Sequence, residues 1–361
     1  MFWKKKKDKD LIPSEFEVSG ELINIISMPQ KKLFKFNINK LKEFGYTDFK
    51  VCNNYDDGYI FARGTMPVCL CAHMDKVPWY KNVKTINRKK ILDTSNNVID
   101  VRLSSREGIG GDDRCGVYTI FKMLEAGFKP SVLFCNGEEI GCRGSSKFAI
   151  DHDADFLSDI NAFIQIDRRG NEDCVKYSDS NMDLTNAICN FGFHPAFGSC
   201  TDISVLMPHF GISGVNLSSG YYNEHTGETE YVSVKDLNYL IKRMKNILSS
   251  NIFETRYEYK KQEYSWSYSR IKDSNLFDVG SEEDNPEIFY CEYCLESFSA
   301  DKLIEVMSDE FEFVCEDCAE TLIKQGYRRC KSCSNLSDME TLRLHHYDEQ
   351  TCPFCGCIWD D

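Results

Sequence analysis

No run of 18 or more apolar residues occurs in the 361-residue chain, so nothing in it reads as a membrane span. The opening Met1-Phe-Trp-Lys-Lys-Lys-Lys7 lacks the apolar stretch that follows the basic residues of a secretory signal, and a cytoplasmic location is expected. No repeat of 20–50 residues is visible ahead of the tail, which holds four C-x-x-C units. Basic residues are scarce at one end. From Glu282 to Asp361 there are 20 acidic and 6 basic side chains, which account for the whole net charge of −14. Phosphate neutralisation needs clustered Lys and Arg, so no nucleic acid is expected on this tail.

Cysteine is abundant instead. Nine of the 18 cysteines lie in the tail, mostly as C-x-x-C pairs. In a reducing compartment such pairs are metal ligands rather than disulfides. About 280 residues bury a full core, whereas 80 usually need staples such as metals. The expected organisation is a catalytic domain over residues 13–255, a tyrosine-, serine- and charge-rich linker over 256–288, and a cysteine-rich module over 289–361.

Glu21–Ile26, Lys31–Glu43, Val117–Glu125 and Val234–Leu248 carry apolar residues at helical spacing. Four short apolar runs, Val68–Ala72, Ser131–Cys135, Ala162–Ile166 and Gly214–Leu217, read as strands buried on both faces. Strands alternating with helices predict an α/β fold, three layers around a mixed, mostly parallel sheet. Ligands in such folds gather beyond the carboxyl ends of the strands.

Five motifs stand there. His73-Met-Asp75 follows the first run, and Gly110-Gly-Asp112-Asp113-Arg-Cys-Gly116 opens a helix. Gly137-Glu138-Glu139-Ile-Gly141 follows the second run, Asp167 closes the third, and His225 lies in Asn223-Glu-His-Thr-Gly-Glu228. An aspartate two residues after a histidine can fix its tautomer. A carboxylate at a glycine-flanked helix start can face two cations, and adjacent glutamates on a tight turn can divide ligand and base roles. A hydrolytic two-metal site needs each of these parts.

These motifs resemble the dizinc exopeptidase superfamily, which includes peptidase T, bacterial single-domain aminopeptidases and the aminoacylases. His73-Met-Asp75-Lys-Val-Pro78 is similar to H-x-D-x-V-P, Gly111-Asp-Asp-Arg-Cys-Gly116 to A-D-D-K-A-G, Gly137-Glu-Glu-Ile-Gly141 to G-E-E-x-G, and Asn223-Glu-His225-Thr to N-x-H-T. The resemblance covers Ser14 to Ser250. It implies that Asp112 bridges two divalent metals, with His73 and Asp167 on one and Glu139 and His225 on the other. Zinc is expected, with cobalt or manganese as alternatives. Glu138 is the implied general base and Asp75 the partner orienting His73. The implied reaction is cleavage of a peptide or other amide bond by a metal-activated water. Only 57 residues separate Asp167 from His225, and 38 separate His73 from Asp112. Neither gap holds a lid domain, although the second has room for a hairpin over Lys84–Ser104.

Around these positions several readings stay open. Arg168-Arg169 is either a bidentate clamp for a substrate carboxylate or a charge-balancing pair. Tyr221-Tyr222 either packs, the favoured reading, or places a phenol near the reacting carbonyl. Asp202, in a turn that resembles the family's S/T-D, is read as structural or supporting, and Cys69, Cys71, Cys115, Cys135 and Cys142 as small buried thiols rather than competing zinc ligands.

In the tail, Cys291/Cys294, Cys315/Cys318, Cys330/Cys333 and Cys352/Cys355 are spaced by 20, 11 and 18 residues and supply two structural zincs. Sequential pairing of a zinc-ribbon type is favoured over a cross-brace, with Cys357, His345 and His346 as spare donors. The acidic module is expected to bind a protein surface. Three functions remain in view: an aminopeptidase or small-peptide exopeptidase, a non-peptide amidase or deacylase, and a metal-bearing factor that acts through its tail.

Overall fold

The computed structural model describes residues 13–177, 182–198, 200–260, 289–291, 293, 297–298, 302–307, 313–331, 334–344, 350–352 and 357–358. The chain divides into two compact units, Met1–Ser267 and Tyr268–Asp361. No helix among the described residues is long and apolar enough to cross a membrane.

The first unit begins with α1 (Gly20–Ser27) and α2 (Gln30–Glu43), followed by β1 (Phe49–Cys52), β2 (Tyr59–Ala62) and β3 (Met66–His73). A hairpin of β4 (Asn87–Leu92) and β5 (Val98–Ser104) precedes α3 (Gly111–Glu125), β6 (Pro130–Cys135) and α4 (Arg143–Asp151). Then come β7 (Ala162–Arg168), β8 (Asp173–Lys176), α5 (Met182–Cys189), β9 (His194–Phe197) and α6 (Asp202–Phe210). The unit closes with β10 (Gly214–Ser218), β11 (Tyr221–Tyr222), β12 (Tyr231–Ser233) and α7 (Val234–Leu248).

Eight strands form the main sheet in the order β1-β2-β6-β3-β7-β10-β8-β9. Its centre, β6-β3-β7-β10, is parallel throughout and consists of the four apolar runs. β2 pairs antiparallel with β6, and β8 antiparallel with β10, so the sheet is mixed. Side chains alternate between its faces, as the two-residue strand period requires. Leu70, Ala72, Phe134 and Ile164 join one core with residues of α1, α2, α3 and α7. Cys69, Cys71, Leu133, Cys135 and Phe163 join the other with Phe148 of α4 and Ile203, Leu206 and Phe210 of α6. The expected three layers result. The cysteines of β3 and β6 are thus small apolar residues under α4 and α6.

Local chemistry sets the helix starts. The Ser19 side chain accepts from the Glu21 amide at 3.2 Å and that of Ser233 from the Asp236 amide at 3.2 Å, while Thr201 and Ser204 form a capping box. The stripe on α7 buries Leu237, Leu240, Met244, Ile247 and Leu248. Each contributes about 1.5–3 kcal/mol by leaving water. Between Asp167 and His225 the chain makes only sheet strands, α5 and α6, with no lid among the described residues. Residues 256–260, read from sequence as the start of the linker, instead dock on the first unit. The Tyr257 amide donates to Asn161 O at 2.8 Å, and Ile212 bridges Glu258. The rest of that linker, 261–288, lies outside the described residues.

The second unit contains β13 (Phe289–Tyr290), β14 (Ser297–Phe298), β15 (Leu303–Met307), β16 (Phe313–Cys315), α8 (Glu316–Lys324), β17 (Arg328–Arg329), β18 (Leu336–Ser337) and α9 (Met339–Leu344). Its core gathers Ile304, Val306, Val314, Leu322 and Leu336 with Cys291, Cys315 and Cys318.

Candidate metal centre

The five motifs converge at the carboxyl edge of the parallel strands. His73 ends β3 and is fully buried. Its Nε2 lies 2.8 Å from Asp112 Oδ1, 3.5 Å from Asp167 Oδ1 and 3.9 Å from Glu138 Oε2. His225 Nε2 lies 2.9 Å from Glu139 Oε2 and 3.4 Å from Asp112 Oδ2. One carboxylate, Asp112, therefore faces both imidazoles, one with each oxygen. Two sets of donor atoms, His73/Glu138/Asp167 and His73/Asp112/Glu139, each lie within 4.8 Å of one another.

Each side chain is held by its neighbours. Asp75 Oδ1 stands 3.4 Å from His73 Nδ1, and its two oxygens accept the amides of Glu138 (3.3 Å) and Glu139 (3.2 Å). It therefore fixes the histidine and the glutamate turn together. Gly137 opens that turn at φ +73, where an added Cβ would sit 1.9 Å from Asp56 O, so only glycine fits. The peptide between Asp112 and Asp113 is cis. The buried Asp113 carboxylate accepts the amides of His73 (3.2 Å) and Gly116 (3.0 Å), tying the start of α3 to the end of β3. His225 sits at φ +61, a left-handed conformation that costs a non-glycine residue about 1–2 kcal/mol.

Three supporting groups surround these side chains, and of them Glu230 carries no signal in the local sequence. Glu230, fully buried, accepts the amides of Gly110 (3.1 Å), Gly111 (2.7 Å) and Asp112 (3.4 Å). Thr201 Oγ1 donates to Asp167 Oδ2 at 3.0 Å, and the Tyr221 hydroxyl donates to Asp167 Oδ1 at 3.2 Å. Tyr221 thus does more than the packing expected of it, while the Tyr222 hydroxyl donates to Asp236 at 2.7 Å. Asp202 is fully buried behind the centre. Arg168 bonds Asp173 at 3.1 Å and Arg169 bonds Glu224 at 3.0 Å, so both arginines are charge-paired.

Glu224, Arg169, Cys200 and Tyr177 line a cavity of about 230 Å³ together with the carboxylates and His225. Cys200, which carried no sequence signal, lies with its sulfur 3.6 Å from that of Cys142. Cys69, Cys71, Cys115, Cys135 and Cys142 are buried free thiols.

Carboxylates outnumber cationic side chains at this centre. Among the described residues no Lys or Arg forms an ion pair with Asp112, Glu138, Glu139 or Asp167. Burial raises the Asp167 carboxyl to about 7, with the Asp112 charge adding to it. Burial also pushes Glu138 and Glu139 upward. Asp112 is the exception. Burial raises it too, but hydrogen bonds with His225 and His73 outweigh that and hold it below the carboxylate range. Hydrogen bonds with Asp112 and Glu139 lift His225 to about 10. His73 is likewise raised, against the effect of its own burial, by the Asp167 charge and the carboxylates around it. Carboxylates that must otherwise share protons with imidazoles suit divalent cations, and imidazole plus carboxylate is a donor set for zinc, cobalt or manganese.

In the second unit the sulfurs of Cys291, Cys315 and Cys318 lie within 4.8 Å of one another. Tetrahedral thiolates about 2.3 Å from zinc stand ~3.8 Å apart, inside that limit. Cys330 and Cys352 are buried. Cys294, Cys333, Cys355, His345 and His346 lie outside the described residues.

No family model and no curated protein matches the chain. Solved structures similar to it include the aminopeptidase PepT from Bacillus cereus, with 13% identity, a TM-score of 0.47, and coverage of 63% of this chain and 96% of that one. The Zn-dependent exopeptidase from Parabacteroides distasonis has 13% identity and a TM-score of 0.45, covering 63% of this chain and 94% of its own. A glutaminyl cyclase from Porphyromonas gingivalis has 14% identity and a TM-score of 0.45, covering 63% and 95% respectively.

Proposed function

We propose that the first unit is a two-metal amide hydrolase of exopeptidase type, acting on the free amino end of small peptides. The observation that carries this reading is Asp112, whose two oxygens face His73 at 2.8 Å and His225 at 3.4 Å. Asp112 would be shared between two divalent cations, with His73 and Asp167 holding one and Glu139 and His225 the other. When bound, divalent cations there supply an activated water and a Lewis acid for the carbonyl.

The protein's own residues do the rest. Glu138 takes the proton from the attacking water and hands it to the leaving amine. Burial raises its carboxyl, which suits a group that must hold that proton between steps. Asp75 keeps Glu138 and His73 in register through the bonds described above. Glu224 supports a preference for a free amine. Its Oε2 is buried without a hydrogen-bond partner while the residue lines the cavity, and an α-ammonium group would satisfy it.

The second unit is proposed as a module with two structural zincs that binds a protein surface. Cys291 lies with both cysteines of the second pair, which favours sequential pairing over a cross-brace. With 18 cysteines in the chain and free thiols at Cys69, Cys71, Cys115, Cys135 and Cys142 of the first unit, a reducing cytoplasmic compartment fits.

The test is turnover of free peptides, N-blocked peptides and N-acyl amino acids by the zinc-, cobalt- or manganese-loaded chain. Free peptides should be preferred, Glu138→Ala should abolish hydrolysis with metal content unchanged, and Glu224→Gln should raise KM for free peptides about tenfold. Preference for N-acyl amino acids would point to a deacylase. Undiminished turnover by Glu138→Ala would remove Glu138 from the chemistry.

A further inference from the structure

A second cavity, of about 110 Å³, lies beneath residues 76–83, bounded by the α1–α2 connection, the start of α2, and Arg114 of α3. No aspartate or glutamate lines it, whereas Lys76, Lys81 and Arg114 do. Arg114 is only 1% exposed. Its Nη1 donates to the carbonyls of Ile25 and Met28, both at 2.9 Å, and its Nε has no hydrogen-bond partner. Lys76 Nζ donates to Ile26 O at 3.2 Å and Ile109 O at 2.8 Å. Neither cation forms an ion pair with a described residue within 4.0 Å.

The nearby carboxylates are occupied elsewhere. Asp75 is taken up by His73 and the amides of Glu138 and Glu139, Asp113 by the amides of His73 and Gly116, and Glu230, the carboxylate that acts on Lys76, by the amides of Gly110, Gly111 and Asp112. Helix α2 starts on Pro29 with no side-chain cap and no acidic residue in its first turn, so its positive end is uncompensated too. A buried guanidinium and a partly buried ammonium without a counter-ion are costly unless an anion completes them. Next to this cavity lies another, of about 460 Å³, sharing Gln30 and Tyr55. It is lined by Lys31, Lys32 and Lys35 and again by no acid.

We propose that the cavity under residues 76–83 binds a small oxyanion, a phosphate or a carboxylate, between Arg114 and Lys76. Its position gives the anion an effect on the catalytic centre. The loop above it carries Trp79, whose ring meets that of His225 edge-on at 6.2 Å, and Tyr80, whose hydroxyl accepts from the Gly227 amide at 3.0 Å. Filling the cavity braces that loop and, through it, the segment presenting His225. This is coupling through one contiguous packed element.

Crystals of the metal-loaded chain grown with selenate test the site directly. Anomalous density beside Arg114 and Lys76 is expected. Selenate only at the catalytic metals, with water alone in the cavity, overturns the proposal. In solution, sulfate should raise the Tm of the native chain more than chloride of equal ionic strength. That increment should be lost in Lys76→Met and at least halved in Lys81→Ala, a rim variant that leaves the core intact. Equal increments in native and variant chains would refute the assignment. Parallel titrations with phosphate and acetate identify which oxyanion the cavity prefers.

Discussion

The Tyr221 hydroxyl donates to Oδ1 of Asp167 at 3.2 Å, joining residues 54 positions apart in sequence. Thr201 holds the other oxygen of the same carboxylate. With both oxygens engaged, Asp167 is aimed at the centre rather than free to rotate, and groups that orient a ligand in this way typically set 10–100-fold of metal affinity.

Tyr221→Phe keeps the ring and removes only this bond. Metal affinity at the catalytic centre should fall about tenfold, with far-UV circular dichroism unchanged, as read by competition with a chromophoric chelator. Loss of turnover at full metal occupancy would instead place the hydroxyl in the chemistry.

Glu230 receives three amides at the start of α3 from a distance of 118 to 120 residues along the chain. Its carboxyl is raised to about 7 by burial, which a hydrogen bond with Tyr80 and the amides only partly offset. Removing it with Glu230→Ala strands those donors, and the cost should be about 2–3 kcal/mol in urea unfolding. Glu230→Gln keeps an acceptor and should cost less. Equal losses in the two variants would mean that packing, not the amide cradle, makes the residue necessary.

How much of this was legible depended on distance along the chain. The four central strands were readable because both faces are buried, leaving near-continuous apolar runs such as Val68–Ala72. The edges were not. β1 and β9 are short and have no buried residue, α4 buries only Gly144, Ser145, Phe148 and Ala149, and α6 contains Pro208. Within the site, the His, Asp and Glu side chains stand in motifs at strand ends, where local spacing reveals them. Glu230, Thr201 and the Tyr221 hydroxyl reach the centre only through tertiary packing, which no local pattern encodes.

Lys76 offers a pH test. Burial, with Arg114 adding like-charge repulsion and Glu230 only partly opposing, lowers its amine to about 7. The folded state then binds its proton less readily than the unfolded chain, whose lysine titrates near 10.4. The penalty is full below about pH 7 and is released as pH rises from there toward 10, by up to ~1.4 kcal/mol per pH unit. Without added oxyanion, the native chain should gain stability relative to Lys76→Met across that window, as followed by urea unfolding at several pH values. Added sulfate should flatten the difference, because an anion beside Lys76 favours its charged form. Parallel curves for the two chains would show that Lys76 keeps its ordinary proton affinity.

On the proposed reading, the two units make separable demands on metal. Four divalent ions per chain are expected by elemental analysis, two held by the His and carboxylate set and two by the cysteine pairs. Cys318→Ser should remove one zinc and leave three. It should also loosen the second unit, because Cys318 shares that core with Val314 and Leu322. His73→Ala should instead lower the catalytic occupancy and leave the second unit's zincs in place. The two variants are therefore read together, by metal content and by proteolysis of the second unit. If Cys318→Ser keeps four ions and a protease-resistant second unit, the sulfurs of Cys291, Cys315 and Cys318 are packed together as buried thiols rather than as metal ligands, and the zinc assignment there fails while the catalytic one stands.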